Sequence, residues 1–194
     1  MITPENREYR AFDFNTDEMM ATGTPVVFDS PTLIAEIDGV NYYEVIDSHA
    51  FDNTDMSDVV LVVNHGGKAA AKTRNKTLNL YVREKDVYME ADLSKNATGR
   101  ELHEDIVNRF YEKMSFAFTV LKDKFDKATR TRTILQIDKL YDVSAVDRPA
   151  YNQTSISARS FFEQECEKEM KEVAEATMRA EKLEALKTML KGDK

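Results

Sequence analysis

Three residues of this chain have side chains that could work together as a nucleophile, a base and an orienting acid: Ser115, His65 and Asp142. Ser115 lies in Met114-Ser115-Phe116-Ala117-Phe118-Thr119-Val120, a run that reads as a strand. Strand side chains alternate, so Phe116, Phe118 and Val120 share one face. Ser115, Ala117 and Thr119 take the other, a face of small residues with room for a substrate or a neighbouring group. His65 ends the apolar run from Val59 and precedes Gly66-Gly67, which permit a sharp backbone path. An imidazole there can take a hydroxyl proton and return it to a leaving group, because it titrates near neutrality. Asp142 shares a strand face with Ser144 and Val146. An acid among apolar residues needs a partner, and a histidine N–H would serve. Glu44 and Asp47 compete for that role, being in or beside another strand. Each residue also has an ordinary structural reading: a satisfied strand hydroxyl, a loop histidine beside a glycine turn, and a surface acid at a sheet edge.

Other chemistries find less support. There are three histidines (His49, His65, His103) and one cysteine, Cys166. No two histidines stand at a metal-ligand spacing and no Cys-x-x-Cys occurs, so neither a zinc site nor any other metal or cofactor is expected. The Gly-x-Gly-x-x-Gly and Walker-type loops of nucleotide-binding proteins are missing, as is the Gly-x-Ser-x-Gly elbow of α/β-hydrolases. The net charge of −8 comes without a basic stripe, which argues against nucleic acid as a partner. No stretch is apolar enough to cross a membrane, and Met1-Ile2-Thr3-Pro4-Glu5-Asn6 does not read as a secretory signal. A lone cysteine cannot form an internal disulfide, so a cytosolic setting is expected.

The elements that would position these residues are mainly strands. Leu33–Ile37 and Val40–Ile46 flank Asp38-Gly39, the signature of a tight type I′ hairpin. Val59–Val63 is a β-branched run that suits a buried strand. Thr77–Arg83 and Asp86–Asp92 alternate as a second pair around Glu84-Lys85. Residues 96–110 read as a helix with Leu102, Ile106 and Phe110 on one stripe. After the Ser115 strand, a charged turn around Asp123–Thr129 leads to a strand at Thr131–Ile137, and a last strand, Leu140–Val146, stops near Pro149. From Ser160 to Lys191 there is no glycine or proline, and Glu, Lys, Ala, Met and Leu dominate, which predicts one long helix. Leu183, Leu186 and Leu190 could form an apolar seam for a partner, or the helix could be a solvated appendage. The expected fold is α+β and mainly β: a closed or partly closed antiparallel barrel or sandwich with packed helix and a long C-terminal helix. The domain boundary is expected at Arg159, leaving residues 160–194 as a charged helical extension.

The order of segments resembles that of the tailed-phage prohead proteases, themselves distantly akin to herpesvirus assemblins. The stretches that carry the resemblance are Arg7-Glu8-Tyr9-Arg10, Gly23-Thr24-Pro25-Val26-Val27-Phe28-Asp29, Tyr43-Glu44-Val45-Ile46 with Ala50-Phe51, and Asn64-His65. Then come Thr73-Arg74-Asn75-Lys76-Thr77-Leu78, Met114-Ser115-Phe116-Ala117-Phe118, and Asp142-Val143-Ser144-Ala145-Val146 running into Pro149-Ala150-Tyr151. The resemblance covers roughly residues 7 to 159. The resemblance implies a serine endopeptidase with Ser115 as nucleophile, His65 as general base and Asp142 as third member. Many family members carry Glu at the last position, one methylene longer. In the assemblins an arginine in a later loop supports the oxyanion hole, and Arg148 occupies a comparable place. The implied substrate is the scaffolding segment of the major capsid protein, cut inside the immature prohead in the bacterial host cytoplasm. Self-association and self-cleavage are implied as well. The alternative is a non-catalytic capsid or tail assembly protein on a related β-fold; a small unrelated esterase is a third reading.

Overall fold

A computed structural model describes residues 12–15, 19–147 and 156–191. Two compact units divide between Gln153 and Thr154. The first unit holds ten strands in two sheets and one packed helix; its strands β1 to β5 run Phe12–Asn15, Met20–Val27, Thr32–Ile37, Val40–Ile46 and Val60–Val63. Strands β6 to β8 run Gly66–Lys72, Leu78–Val82 and Asp86–Asp92, followed by a 3-10 turn at Leu93–Lys95 and helix α1 at Ala97–Val107. Strands β9 (Lys113–Asp126) and β10 (Thr131–Val146) complete the unit.

One sheet is four-stranded in the order β1-β2-β8-β7, and the other is six-stranded in the order β3-β4-β10-β5-β6 with β9 on the free side of β10. Neither closes on itself, so the fold is a mainly-β sandwich with a packed helix, as the alternation of apolar residues predicts. Apolar side chains from the two sheets form one core that includes Val26, Leu61, Met89, Ile134, Leu140 and Val143, each buried. Each large aliphatic side chain fully removed from water contributes roughly 1.5–3 kcal/mol.

The β3–β4 hairpin turns at Asp38 (φ 51°) and Gly39 (φ 76°), both left-handed as a type I′ turn requires. Helix α1 is capped by Asn96, whose side-chain oxygen accepts the Gly99 N–H at 2.7 Å while its amide donates to Ala70 O at 2.9 Å. One side chain thus starts the helix and ties it to β6. The helix ends earlier than its apolar stripe suggests. Arg109 is left-handed (φ 62°), its N–H bonds Ile106 O, and the Phe110 N–H reaches back to Asp105 O at 2.8 Å. That is a Schellman stop. Leu102 and Ile106 are buried, but Phe110 lies beyond the helix and is 69% exposed.

Residues 131–146 form a single 16-residue strand where the sequence suggests two. The polar pair Asp138-Lys139 does not break it, because bulges between Ile134 and Asp142 absorb the irregularity. Asp55 also bridges to Lys139 there. β9 runs antiparallel along one side of β10. The other side takes β4 in parallel at Thr131–Ile134 and then β5 in parallel at Asp142–Ala145. The strand carrying Asp142 is therefore the axis of the larger sheet, flanked by β9, which bears Ser115, and by β5, which leads into the turn at His65.

The second unit contains helix α2, Ile156–Lys191, 36 residues long. It begins four residues before the expected start. Ion pairs Glu165–Lys168, Glu175–Arg179 and Glu184–Lys187 lie along its surface, while Met170, Val173, Met178 and Leu183 are exposed. The side chains of Leu186 and Leu190, two of the three leucines in the expected seam, lie outside the described residues. No helix among the described residues is long and apolar enough to cross a membrane.

Candidate active site

His65 is placed by a tight turn that docks on β10. Val63 pairs with Gly66, so Asn64 and His65 are the two central residues of the β5–β6 connection. Both are left-handed, with φ of 47° and 56°. Of the two glycines expected to supply conformational freedom, Gly67 is left-handed (φ 77°), and the tight turn itself falls two residues earlier than the pair, on residues with side chains. A non-glycine residue in this region costs on the order of 1–2 kcal/mol. Contacts to β10 hold it there: the Asn64 N–H donates to Ala145 O at 2.9 Å, and the His65 N–H donates to Ser144 Oγ at 3.2 Å.

The turn brings the imidazole over β10. His65 Nδ1 lies 2.8 Å from Asp142 Oδ1 and 3.2 Å from Ser144 Oγ. Ser144 donates its hydroxyl proton to the same Asp142 oxygen at 2.7 Å. The two ionisable side chains are partly covered, His65 at 24% and Asp142 at 14% exposure. A pair so placed is screened less than a surface ion pair yet keeps some contact with water.

Ser115 reaches the same place from β9. Its cross-strand partner is Ser144, and that of Ala117 is Asp142. Directly opposed residues of an antiparallel pair share a face, with Cβ atoms about 4.5–5.5 Å apart. The small-residue face of β9 and the acidic face of β10 are therefore one surface. The packing beneath it is tight: Leu61, Val143 and Ala145 are fully buried, and Met114 and Phe116 nearly so. Ser115 itself is 2% exposed and Ser144 is 0% exposed. No hydrogen bond joins the Ser115 hydroxyl to the imidazole; the ring nitrogen that bonds β10 is Nδ1.

The competing acids are engaged elsewhere. Glu44 is buried on β4 beside Arg132, which also bonds Asp123 at 2.5 Å. Asp47 accepts the His49 N–H at 2.9 Å. The His49 ring is 81% exposed and pairs with Asp52. Of the acids considered, Asp142 alone contacts His65. Arg148 lies outside the described residues. Nearby, burial pushes the Tyr111 phenol above its ordinary range, with the Asp105 and Asp147 carboxylates adding to the effect. Among the described residues no cluster of His, Cys, Asp and Glu could hold a metal ion.

Ser144 is the residue that sequence reasoning passed over. Its signal was present: an acid and a serine two positions apart on a strand point to the same face and can touch. Chemically, the arrangement pairs a carboxylate-held imidazole with a serine one strand away, the components of acyl transfer.

No curated protein and no solved structure matches the chain. A comparison with family models matches residues 5–170 to the caudovirus prohead serine protease family, whose members are serine peptidases of phage capsid maturation. With most of its length covered by that match, the chain belongs to the caudovirus prohead serine protease family.

Proposed function

We propose that the chain is a serine endopeptidase that cleaves the scaffolding segment of the phage major capsid protein, and itself, inside the prohead. The observation that best supports this reading is the 2.8 Å contact between His65 and Asp142 on the sheet face shared with Ser115. In this mechanism His65 Nε2 takes the Ser115 proton as Ser115 Oγ attacks the scissile carbonyl carbon. The imidazolium then gives that proton to the leaving amine as the C–N bond breaks, and an acyl-enzyme remains. Water, deprotonated by the same nitrogen, releases the acid and restores the serine. Asp142 holds the ring and stabilises its charged form. Backbone N–H groups, with Arg148 in support, receive the developing oxyanion; one such donor is typically worth on the order of 100- to 1000-fold in rate.

Residues 1–159 form the catalytic domain in this reading. Residues 160–194 form an extension that contacts scaffold and is removed by self-cleavage. The charged surface of α2 suits reversible docking against other helices.

Co-expression with the major capsid protein of the same phage, read by intact-mass spectrometry, tests the proposal. The wild-type chain should shorten both the capsid protein and itself. Ser115→Ala and His65→Ala should each abolish cutting, since members of such a unit are typically worth about a million-fold in kcat. Equal processing by Ser115→Ala would sink the endopeptidase reading and favour a non-catalytic assembly role. Recovery of scaffold by the full chain and by a chain lacking residues 160–194 tests the extension; identical recovery counts against a docking arm.

A further inference from the structure

We propose that Ser144 is a positioning residue of this site, which sets the tautomer of His65 and anchors the strained turn that presents it. The proposal rests on the reading of Ser115, His65 and Asp142 as the catalytic group.

Four contacts carry it, and they constrain where the protons lie. An ionised carboxylate only accepts, so the 2.7 Å bond between Ser144 Oγ and Asp142 Oδ1 must use the single hydroxyl proton of Ser144. The Ser144 oxygen then has only lone pairs to offer. One accepts the His65 backbone N–H at 3.2 Å. The other faces His65 Nδ1, also at 3.2 Å. Asp142 Oδ1, 2.8 Å from Nδ1, is likewise an acceptor. Both partners of Nδ1 are thus acceptors, and Nδ1 must carry the proton. Nε2 is left with its lone pair, the form a general base requires. Asp142 calls for the same proton, and Ser144 adds a second acceptor that holds the ring and the backbone of His65 to β10.

The same hydroxyl holds the backbone and the ring of one residue. That residue is left-handed without being glycine, a conformation that persists only where its surroundings over-determine it. Ser144 also stands opposite Ser115 across the β9–β10 ladder, one pair along from Asp142 opposite Ala117 on the same face. It is not itself the nucleophile in this reading, because its proton is committed to a carboxylate.

The test has three arms on the full chain. First, 15N and 1H spectra of His65 in a Ser115→Ala background, which cannot digest itself, should show the Nδ1–H tautomer with a downfield Nδ1 proton. An Nε2–H tautomer would overturn the proposal, and this reading needs no change at position 144. Second, Ser144→Ala should lower kcat on a capsid-derived peptide by roughly 10- to 100-fold with KM little changed, the scale of a hydrogen bond to a charged group. Ser144→Thr, which keeps the hydroxyl, should recover most of the loss. Wild-type kcat in Ser144→Ala, or no rescue by Thr in a folded protein, would overturn it. Third, Ser144→Ala added to Asp142→Asn, which keeps a measurable rate, should cost less than it does alone, whereas a purely structural role predicts an additive loss. If Ser115→Ala still cleaves, the catalytic reading has failed and not the tautomer assignment alone.

Discussion

Replacing Asp142 by Asn isolates the charge of the third residue with little change of shape. The amide oxygen can still accept from Ser144 and from His65 Nδ1, as the carboxylate does at 2.7 and 2.8 Å. What disappears is the negative charge that, in the proposed mechanism, faces the imidazolium formed when Ser115 loses its proton. The charge centres of the two groups are separated by about 4 Å, and at an effective dielectric near 20 the attraction is about 4 kcal/mol. That dielectric suits the pair, since His65 is 24% and Asp142 14% exposed, so neither is in a dry interior. At 1.36 kcal/mol per decade the expected loss is about a thousand-fold in kcat. Single-turnover cleavage of a fluorogenic peptide spanning a capsid cut site would measure it, with thermal unfolding as a control for folding. A loss under about tenfold in a folded variant would refute the claim that Asp142 balances the imidazolium charge.

Four further outcomes are expected. Gly99→Ala should destabilise the protein by about 1–3 kcal/mol despite the higher helix propensity of alanine, because the new Cβ would lie 2.5 Å from the Leu93 carbonyl oxygen; urea unfolding measures the sign. Arg132→Ala should cost about 3 kcal/mol in the same assay, since it takes the cation from between the buried Glu44 and Asp123. Hydrogen bonds from Ser57, then the Lys139 ammonium, hold the Asp55 carboxyl at about 2, so its contribution to stability is complete above the ordinary carboxylate range and is lost as pH falls through that value. NMR titration should show the Asp55 midpoint rising in Ser57→Ala. His49→Ala should leave cleavage unchanged, as its ring is 81% exposed and, among the described residues, pairs with neighbouring Asp52 alone.

Local signals in the sequence were faithful where short-range physics decides the outcome. Asp38-Gly39 specified its hairpin, the alternation in 78–92 specified a strand pair, and the glycine-free run after Ser160 specified a helix. The apolar stripe overran the helix at Phe110 because a left-handed arginine, an uncommon stop, ends it. Asp138-Lys139 looked like a break because bulges and the bridge from Asp55 depend on residues distant in the chain. The parallel pairing of β4 and β5 with β10 has no local signature for the same reason. At the site, the shared face of Ser115 and Asp142 depended on cross-strand register, which alternation alone leaves open. The separation of Glu44 and Asp47 from His65 likewise required the strand order.

The position of β10 in both the sheet and the chain bears on when this protein can act. Among the described strands it comes last, yet it carries Asp142 and Ser144 and joins the strand of Ser115 to β5, which leads into the turn at His65. Without Asp142–Ala145, the strand of Ser115 and the strand before His65 lose the ladder partner they share. In the proposed mechanism, therefore, the site is complete only once β10 has taken its place between β9 and β5.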